Sequence, residues 1–263
     1  MVAIDAVLAD LKAEGDELEA MVAGLDEAGW RTGTPAEGWS IAHQIAHLAW
    51  TDRMAQLAAT DPAQFAKTLE IALRDAEGFV DAGAVETLDE TRGQPLEAWR
   101  ESRKALSKAL TELPPGQKVA WFGPPMSAPS MATARIMETW AHAQDVADTL
   151  GITRVPTARL RNVAHLGVRT RDWAYHIRGL TPPAEEFRVE LTGPDGTPWT
   201  WGPVDAEQSV VGSALDFCFI VTQRRHRDDL DVVATGVDAE HGLTIAQSFA
   251  GPPGRGREKG QFG

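Results

Sequence analysis

Arg-Ile-Met-Glu-Thr-Trp-Ala-His-Ala-Gln-Asp, residues 135–145, is the stretch around which the rest of the chain is organised. In a helix, Glu138 and His142 are four positions apart and Asp145 lies three further on, so all three side chains share one face. A carboxylate and an imidazole one turn apart can share a divalent cation, but two ligands rarely hold one. A third ligand must therefore come from another part of the chain.

The best candidate for that ligand lies in residues 38–48, which read Gly-Trp-Ser-Ile-Ala-His-Gln-Ile-Ala-His-Leu. Ser40 is well placed to cap a helix, and His43 and His47 follow at helical spacing. Histidines in helices are more often hydrogen-bonded core residues than ligands, and Glu138 with His142 could be a polar pair on a solvated face. A carboxylate among apolar helical neighbours is costly without a cation, however. This context favours an ion held by two histidines and one carboxylate from two helices.

Composition excludes several classes of function. The chain has 263 residues with 38 acidic and 25 basic side chains, a formal charge of −13, which argues against nucleic-acid binding. Cys218 is the only cysteine and lies in an apolar run, so we expect an inert core thiol and no intramolecular disulfide. No secretory signal and no apolar run of about 18 residues is present. We therefore expect a cytoplasmic protein without a membrane span.

Apolar periodicity predicts a two-domain organisation. Residues 1–180 read as helical throughout, and residues 185–250 read as a small α+β unit. In the second part we predict strands near Phe187–Leu191 and Pro198–Trp201, a helix over Ala206–Arg224 and a last strand over Leu243–Phe249. The glycine-rich segment 251–263 is expected to be a flexible tail. The predicted helices of the first part are Ile4–Leu25, one from Ser40 to about Ala59, Ala63–Gly78, Pro95–Leu113, one ending at Leu150 and Ala158–Arg178.

Taken together, the Gly38–Leu48 motif and the downstream Glu138-x-x-x-His142-x-x-Asp145 pattern resemble the mycothiol-dependent maleylpyruvate isomerase family, part of the wider DinB-like metalloprotein superfamily. The resemblance implies a DinB-like four-helix bundle followed by a small α+β C-terminal domain. It also implies an actinobacterial source, with which the abundance of Ala, Gly and Arg agrees.

The resemblance also assigns roles to individual residues. It places the metal ligands on His47, Glu138 and His142, and Asp145 behind them, orienting His142 through its far ring nitrogen. His43 is then a pocket residue or an optional fourth ligand. Other side chains expected near the site or its cosubstrate are Trp50, Arg135, Arg224 and Arg225.

The implied ion is Zn²⁺ or another divalent metal such as Ni²⁺, and the implied cosubstrate is mycothiol, a low-molecular-weight thiol. A metal-bound thiol has a lowered pKa, and its thiolate can add to an electrophilic carbon. We therefore expect a thiol transferase or a maleylpyruvate-type isomerase acting on a small electrophilic substrate, as a monomer or a homodimer. Two alternatives stay open at this point: a metal-dependent hydrolase that uses bound water, and a non-catalytic protein that binds metal or a small molecule.

Overall fold

The protein is described by a computed structural model that covers residues 4–262. These residues form two compact units, the first extending to Arg154 and the second beginning at Val155. The first unit is almost entirely helical. Its helices are α1 (Ile4–Val22), α2 (Glu27–Trp30), α3 (Ile41–Thr60), α4 (Pro62–Ala72), α5 (Ala76–Glu90), α6 (Leu96–Glu112) and α7 (Ala128–Leu150).

Four long helices build the core of the first unit. Helix α3 packs against α6 and α7, and α1 packs against α7 and α6. A cluster of fully buried side chains from all four helices includes Leu18, Ile45, Trp99 and Val146. Burial of such side chains contributes about 1.5–3 kcal/mol each, which is sufficient to fix the helix positions from which the polar side chains project.

Two regions of the first unit differ from the sequence-based expectation. The helix predicted over Ala63–Gly78 ends at Ala72, and a second helix begins at Ala76 and continues to Glu90, because the Asp75 side chain accepts from the Gly78 N–H and caps a new start. The loop before α7 contains a short antiparallel ladder, β1 (Lys118–Val119) with β2 (Met126–Ser127). Strands β1 and β2 are too short to leave a periodic pattern in the sequence.

The second unit combines short helices with one sheet, so the predicted fold class is confirmed: a helical first part followed by a small α+β part. Its elements are α8 (Leu160–Arg169), α9 (Arg171–His176), β3 (Arg188–Thr192), β4 (Pro198–Trp201), β5 (Ser209–Ser213), α10 (Ala214–Val221), β6 (Val232–Thr235) and α11 (Val237–Thr244).

The sheet has the order β4-β3-β5-β6 and is mixed. Strand β3 pairs antiparallel with β4 and parallel with β5, while β6 pairs antiparallel with β5. The prediction of one helix over Ala206–Arg224 is wrong in its first part, because Ser209–Ser213 forms β5 and the helix begins only at Ala214. The strand predicted over Leu243–Phe249 is also wrong, since α11 reaches Thr244.

The ends of the second unit also depart from the expected divisions. Helix α8 packs against α10, so the helical segment expected in the first domain falls within the second unit. The segment expected to be a flexible tail makes contacts, since Lys259 pairs with Asp228 at 3.0 Å and the Gly260 N–H donates to Asp229 at 2.7 Å. Among residues 4–262, no helix is both long and apolar enough to cross a membrane.

Candidate metal centre

Helices α3 and α7 carry the candidate ligands, and local sequence fixes where each helix begins. Ser40 precedes α3 and forms a reciprocal capping box with His43, whose Nδ1 accepts from the Ser40 N–H at 3.2 Å. Ser127 caps α7, and Pro129 occupies its first turn, where no backbone donor is needed. These caps set where both helices begin, and the packing of α3 against α7 brings their polar faces together.

His47 from α3 meets Glu138 and His142 from α7 in one cluster. One potential ligand atom from each residue lies within 4.8 Å of the others. Glu138 Oε2 is 3.6 Å from His47 Nε2 and 3.3 Å from His142 Nε2. Tetrahedral Zn²⁺ with bonds near 2.1 Å separates its ligand atoms by about 3.4 Å. The spacing and the two-nitrogen, one-oxygen donor set therefore fit a divalent ion.

The cluster is enclosed but not sealed. The side chains of His47 and His142 are 7% and 11% exposed, and that of Glu138 is 21% exposed. Burial raises the pKa of Glu138, but hydrogen bonds from His142 and His47 and the charge of Arg135 outweigh burial and hold it well below its ordinary value. Glu138 is therefore an anion in a largely desolvated position, which favours a bound cation.

The two histidines are held differently at their far ring nitrogens. His142 Nδ1 is hydrogen-bonded to the side-chain oxygen of Gln44. His47 Nδ1 is buried and has no hydrogen-bond partner among the described residues. The rings lie 4.5 Å apart between centroids. Only one of the two imidazoles thus has a polar group behind it that can select its tautomer.

A buried ion pair joins α3 to α7 beside the cluster. Arg135 Nε donates to Asp52 at 2.9 Å, and these side chains are only 1% and 5% exposed. Arg135 also donates to Thr51 Oγ1 at 2.6 Å, and the Thr51 hydroxyl donates to the His47 carbonyl at 2.9 Å. Arg135 is therefore occupied within the protein and supports the position of His47.

Aromatic rings form one side of the cluster. Trp39 lies 5.2 Å from His47 and stacks on His142 at 5.9 Å between centroids, and its indole N–H donates to Asp81 at 3.0 Å. Trp50 lies 6.2 Å from His47. Trp39 and Trp50 belong to an aromatic wall, which further rings extend away from the histidines: Phe65, Phe79, Trp121 and Phe122.

The structure brings some predicted residues together and leaves others without a demonstrated role. His43 is not part of the three-residue cluster found among the described residues; burial lowers its pKa, against the charge of Asp81, which raises it. Asp145 is fully buried on α7. Its orienting role toward His142 stays a prediction.

Arg224 and Arg225 lie just after α10, in the second unit. The Arg224 guanidinium donates to the Thr222 carbonyl at 2.6 Å, and that of Arg225 lies over the rings of Phe219 and Phe262. Their proposed contact with a cosubstrate stays a prediction.

Sequence reasoning missed three polar side chains that support the ligands: Gln44, Thr51 and Asp52. Each is buried, at 0%, 6% and 3% exposure, on a helix whose other buried residues are mainly apolar. A buried polar side chain needs a hydrogen-bond partner. The position of these three polar residues on the inner face of α3 was therefore the signal that could have identified them.

The second unit has a cavity of its own, of about 270 Å³. Apolar residues of α8, α10 and α11, with Phe187 and Trp201 from the sheet region, line most of it, and Arg169 and Arg171 stand among its polar residues. It holds none of the three candidate ligands.

Two family models match this chain. The mycothiol maleylpyruvate isomerase N-terminal domain family matches residues 11–147, and the wyosine base formation family matches residues 183–235. Two curated relatives, uncharacterized proteins from the CDC 1551 / Oshkosh and H37Rv strains of Mycobacterium tuberculosis, are 59% identical over 250 residues. Those residues cover 95% of this chain and 97% of each relative.

Two solved structures share the fold. They are a mycothiol-dependent maleylpyruvate isomerase, at 19% identity, and a histidine-to-alanine mutant of that enzyme, at 18%. Each matches with a TM-score of 0.58 and covers 90% of this chain and 96% of the other.

Proposed function

Because this chain belongs to the mycothiol maleylpyruvate isomerase N-terminal domain family, we propose that it is a divalent-metal-dependent enzyme that uses mycothiol to transform a small electrophilic substrate. The reaction would be thiol transfer to that substrate or a cis–trans isomerisation of the maleylpyruvate type. The observation that carries this proposal is the His47, Glu138 and His142 cluster, which lies within the segment matched by the family model.

The three side chains would hold the ion and leave a coordination position open, as three-ligand catalytic zinc sites do. When bound, the ion would act as a Lewis acid that lowers the pKa of a thiol at that position. Glu138 supplies a fixed negative charge, and its 21% exposure provides an approach from outside. Trp39, which stacks on His142 and lies 5.2 Å from His47, excludes water from one side of the cluster.

The protein's own thiol is a poor candidate for the nucleophile. Cys218 is fully buried in α10, and burial raises the pKa of its thiol well above the ordinary value, against a backbone hydrogen bond that lowers it. This supports a nucleophile supplied by a cosubstrate.

The aromatic wall favours a flat, unsaturated acceptor. Trp50 stacks with Phe122 at an interplanar angle of 15°, and Phe79 meets Trp50 edge-on. Phe79 and Phe122 are only half-buried, so their rings offer apolar surface near the cluster.

The test is a turnover assay on zinc-loaded protein with maleylpyruvate and a panel of other small electrophiles, with and without mycothiol. Wild type is compared with Glu138→Ala and with Glu101→Ala, which removes an exposed carboxylate of α6. We expect thiol-dependent turnover in wild type and in Glu101→Ala, and none in Glu138→Ala.

The remaining outcomes separate the alternatives. Turnover that needs the metal but not the thiol would replace the proposal with a hydrolase that uses bound water. Absence of turnover on the whole panel, with zinc bound, would contradict an enzymatic role and favour a binding protein.

A further inference from the structure

Three hydrogen bonds run in sequence from a loop carbonyl to a candidate ligand. The Thr34 hydroxyl donates to the Trp39 carbonyl oxygen at 2.9 Å. The Gln44 side-chain nitrogen donates to Thr34 Oγ1 at 2.8 Å, and the Gln44 side-chain oxygen contacts His142 Nδ1. Because Gln44 is fully buried and cannot reach bulk water, its side chain depends on these groups for hydrogen bonds.

The direction of this relay is determined by its first bond. A carbonyl oxygen only accepts, so the single hydroxyl proton of Thr34 is directed to Trp39. Thr34 Oγ1 must then accept from Gln44, which turns the amide nitrogen toward Thr34 and the amide oxygen toward His142. An amide oxygen also only accepts, and the ring nitrogen facing it must carry a proton.

We propose that Thr34 and Gln44 are positioning residues that hold His142 with its proton on Nδ1, so that the lone pair of the neutral ring is on Nε2. That atom is 3.3 Å from Glu138 Oε2 and belongs to the candidate metal cluster. The inference rests on the proposed function for the statement that Nε2 binds an ion. The Gln44 contact that selects this tautomer is present without any metal, although Glu138 Oε2 then competes for the proton at Nε2.

The protein should therefore fix the tautomer of one histidine more firmly than that of the other. His142 has an acceptor that selects one tautomer, whereas His47 Nδ1 is buried without a partner among residues 4–262. His47 is oriented by the rings of Trp39 and Trp50, at 5.2 and 6.2 Å, and by the hydroxyl of Thr51 at its carbonyl.

The direct test is ¹⁵N NMR of the imidazole rings in metal-free protein, which distinguishes the two tautomers of a neutral ring. The His142 signals are identified by their loss in His142→Ala. We expect the Nδ1-protonated form of His142 in wild type and a mixture of tautomers in Gln44→Leu. A wild-type His142 protonated on Nε2 would overturn the inference, because it would require the opposite orientation of the Gln44 amide.

The second test is Zn²⁺ affinity, measured by competition with a chelator. Loss of a group that orients a metal-ligating histidine typically weakens affinity by about 10- to 100-fold. We expect such a loss in Gln44→Leu, a smaller loss in Thr34→Val and nearly none in Thr34→Ser, which keeps the hydroxyl. Gln56→Leu is the matched control, since the Gln56 side chain of the same helix makes no hydrogen bond among the described residues.

These two readouts distinguish the inference from the proposed function. The expected tautomer without any Zn²⁺ binding would leave the relay intact and contradict the metal-dependent function. Zn²⁺ binding that is equally tight in Gln44→Leu and Gln56→Leu would contradict the positioning role while leaving the metal site in place.

Discussion

The two units of this protein differ in the kind of site that each contains. The helical unit brings two imidazoles and a carboxylate within 4.8 Å of one another, with a low carboxylate pKa and a buried ion pair beside them. The second unit has a cavity of about 270 Å³, but that cavity is mostly apolar and includes no such ligand group among the described residues. The presence of a cavity is thus a weaker guide to a reactive site than the convergence of charged and ligating groups.

The strongest test of this contrast is metal content. Wild-type protein reconstituted with Zn²⁺ should hold about one ion per chain, since the described residues contain one three-ligand group. Glu138→Ala should lose that ion entirely, because it removes the only anionic ligand of the cluster. Elemental analysis after dialysis measures the change, and Glu101→Ala serves as control. A full equivalent of zinc in Glu138→Ala would show that the metal site lies elsewhere.

The next largest effect should come from the buried ion pair of α3 and α7. Arg135→Met leaves Asp52 without its cation, and breaking a buried pair in this way costs about 3–5 kcal/mol of the free energy of unfolding. Urea denaturation measures this loss. The double variant Asp52→Leu with Arg135→Met should recover most of the stability, since no lone charge remains.

The stability lost in Arg135→Met should also depend on pH. Burial raises the pKa of Asp52 even though Arg135 lowers it, and removing Arg135 raises it further. A carboxyl whose pKa is raised in the folded state stabilises the fold when protonated, and that stability is lost as pH rises through the folded pKa. The deficit of Arg135→Met should therefore be smaller in mildly acidic than in neutral solution. A deficit independent of pH would contradict this assignment.

A smaller effect, confined to the second unit, is expected at Gly167. A Cβ there would lie 2.8 Å from two side-chain carbons of Val221, a β-branched residue that cannot rotate away easily. The strain of Gly167→Ala, about 1–3 kcal/mol, should outweigh the gain of about 1 kcal/mol in helix propensity.

Thermal unfolding of Gly167→Ala should show this loss while zinc stoichiometry stays unchanged. Gly251→Ala is the control, because its new Cβ would meet its nearest neighbour only at 3.8 Å. Loss of zinc in Gly167→Ala would show that the two units are coupled and would weaken the contrast between them.

The smallest expected effect is the reactivity of Cys218. Its side chain is fully buried, its sulfur lies 3.6 Å from the Leu160 carbonyl, and burial raises the pKa of the thiol. Native protein should react negligibly with an aromatic disulfide reagent, whereas denatured protein should react fully. Rapid labelling of the native thiol would reopen the possibility that the protein supplies its own nucleophile.

Much of the helical unit followed from local patterns in the sequence. The spacing of Glu138 and His142, the cap at Ser40 and the helix end at Gly151, whose φ of 67° suits glycine, are all properties of short segments. The sheet was harder to predict. Strand β5 is five residues long, adjoins α10 directly and pairs in parallel with a strand some twenty residues earlier, so its apolar residues read as the first turns of a helix.

The supporting residues of the site illustrate the same limit. Gln44 meets His142 across 98 positions, and Arg135 meets Asp52 across 83. Each pair depends on how α3 and α7 are rotated against each other, and no local pattern encodes that rotation. The sequence indicated that these polar side chains would need partners but not which partners they would find.

By itself, then, the sequence determined the helical first part, the small α+β second part and the shared helix face of Glu138 and His142, because those properties depend on neighbours within one or two turns. Tertiary structure alone shows that His47 meets that face while His43 caps its own helix, and that Gln44 contacts the far nitrogen of His142. The physical reason is that hydrogen bonds and ligand distances change within an ångström, and only the packing of one helix against another sets positions that finely.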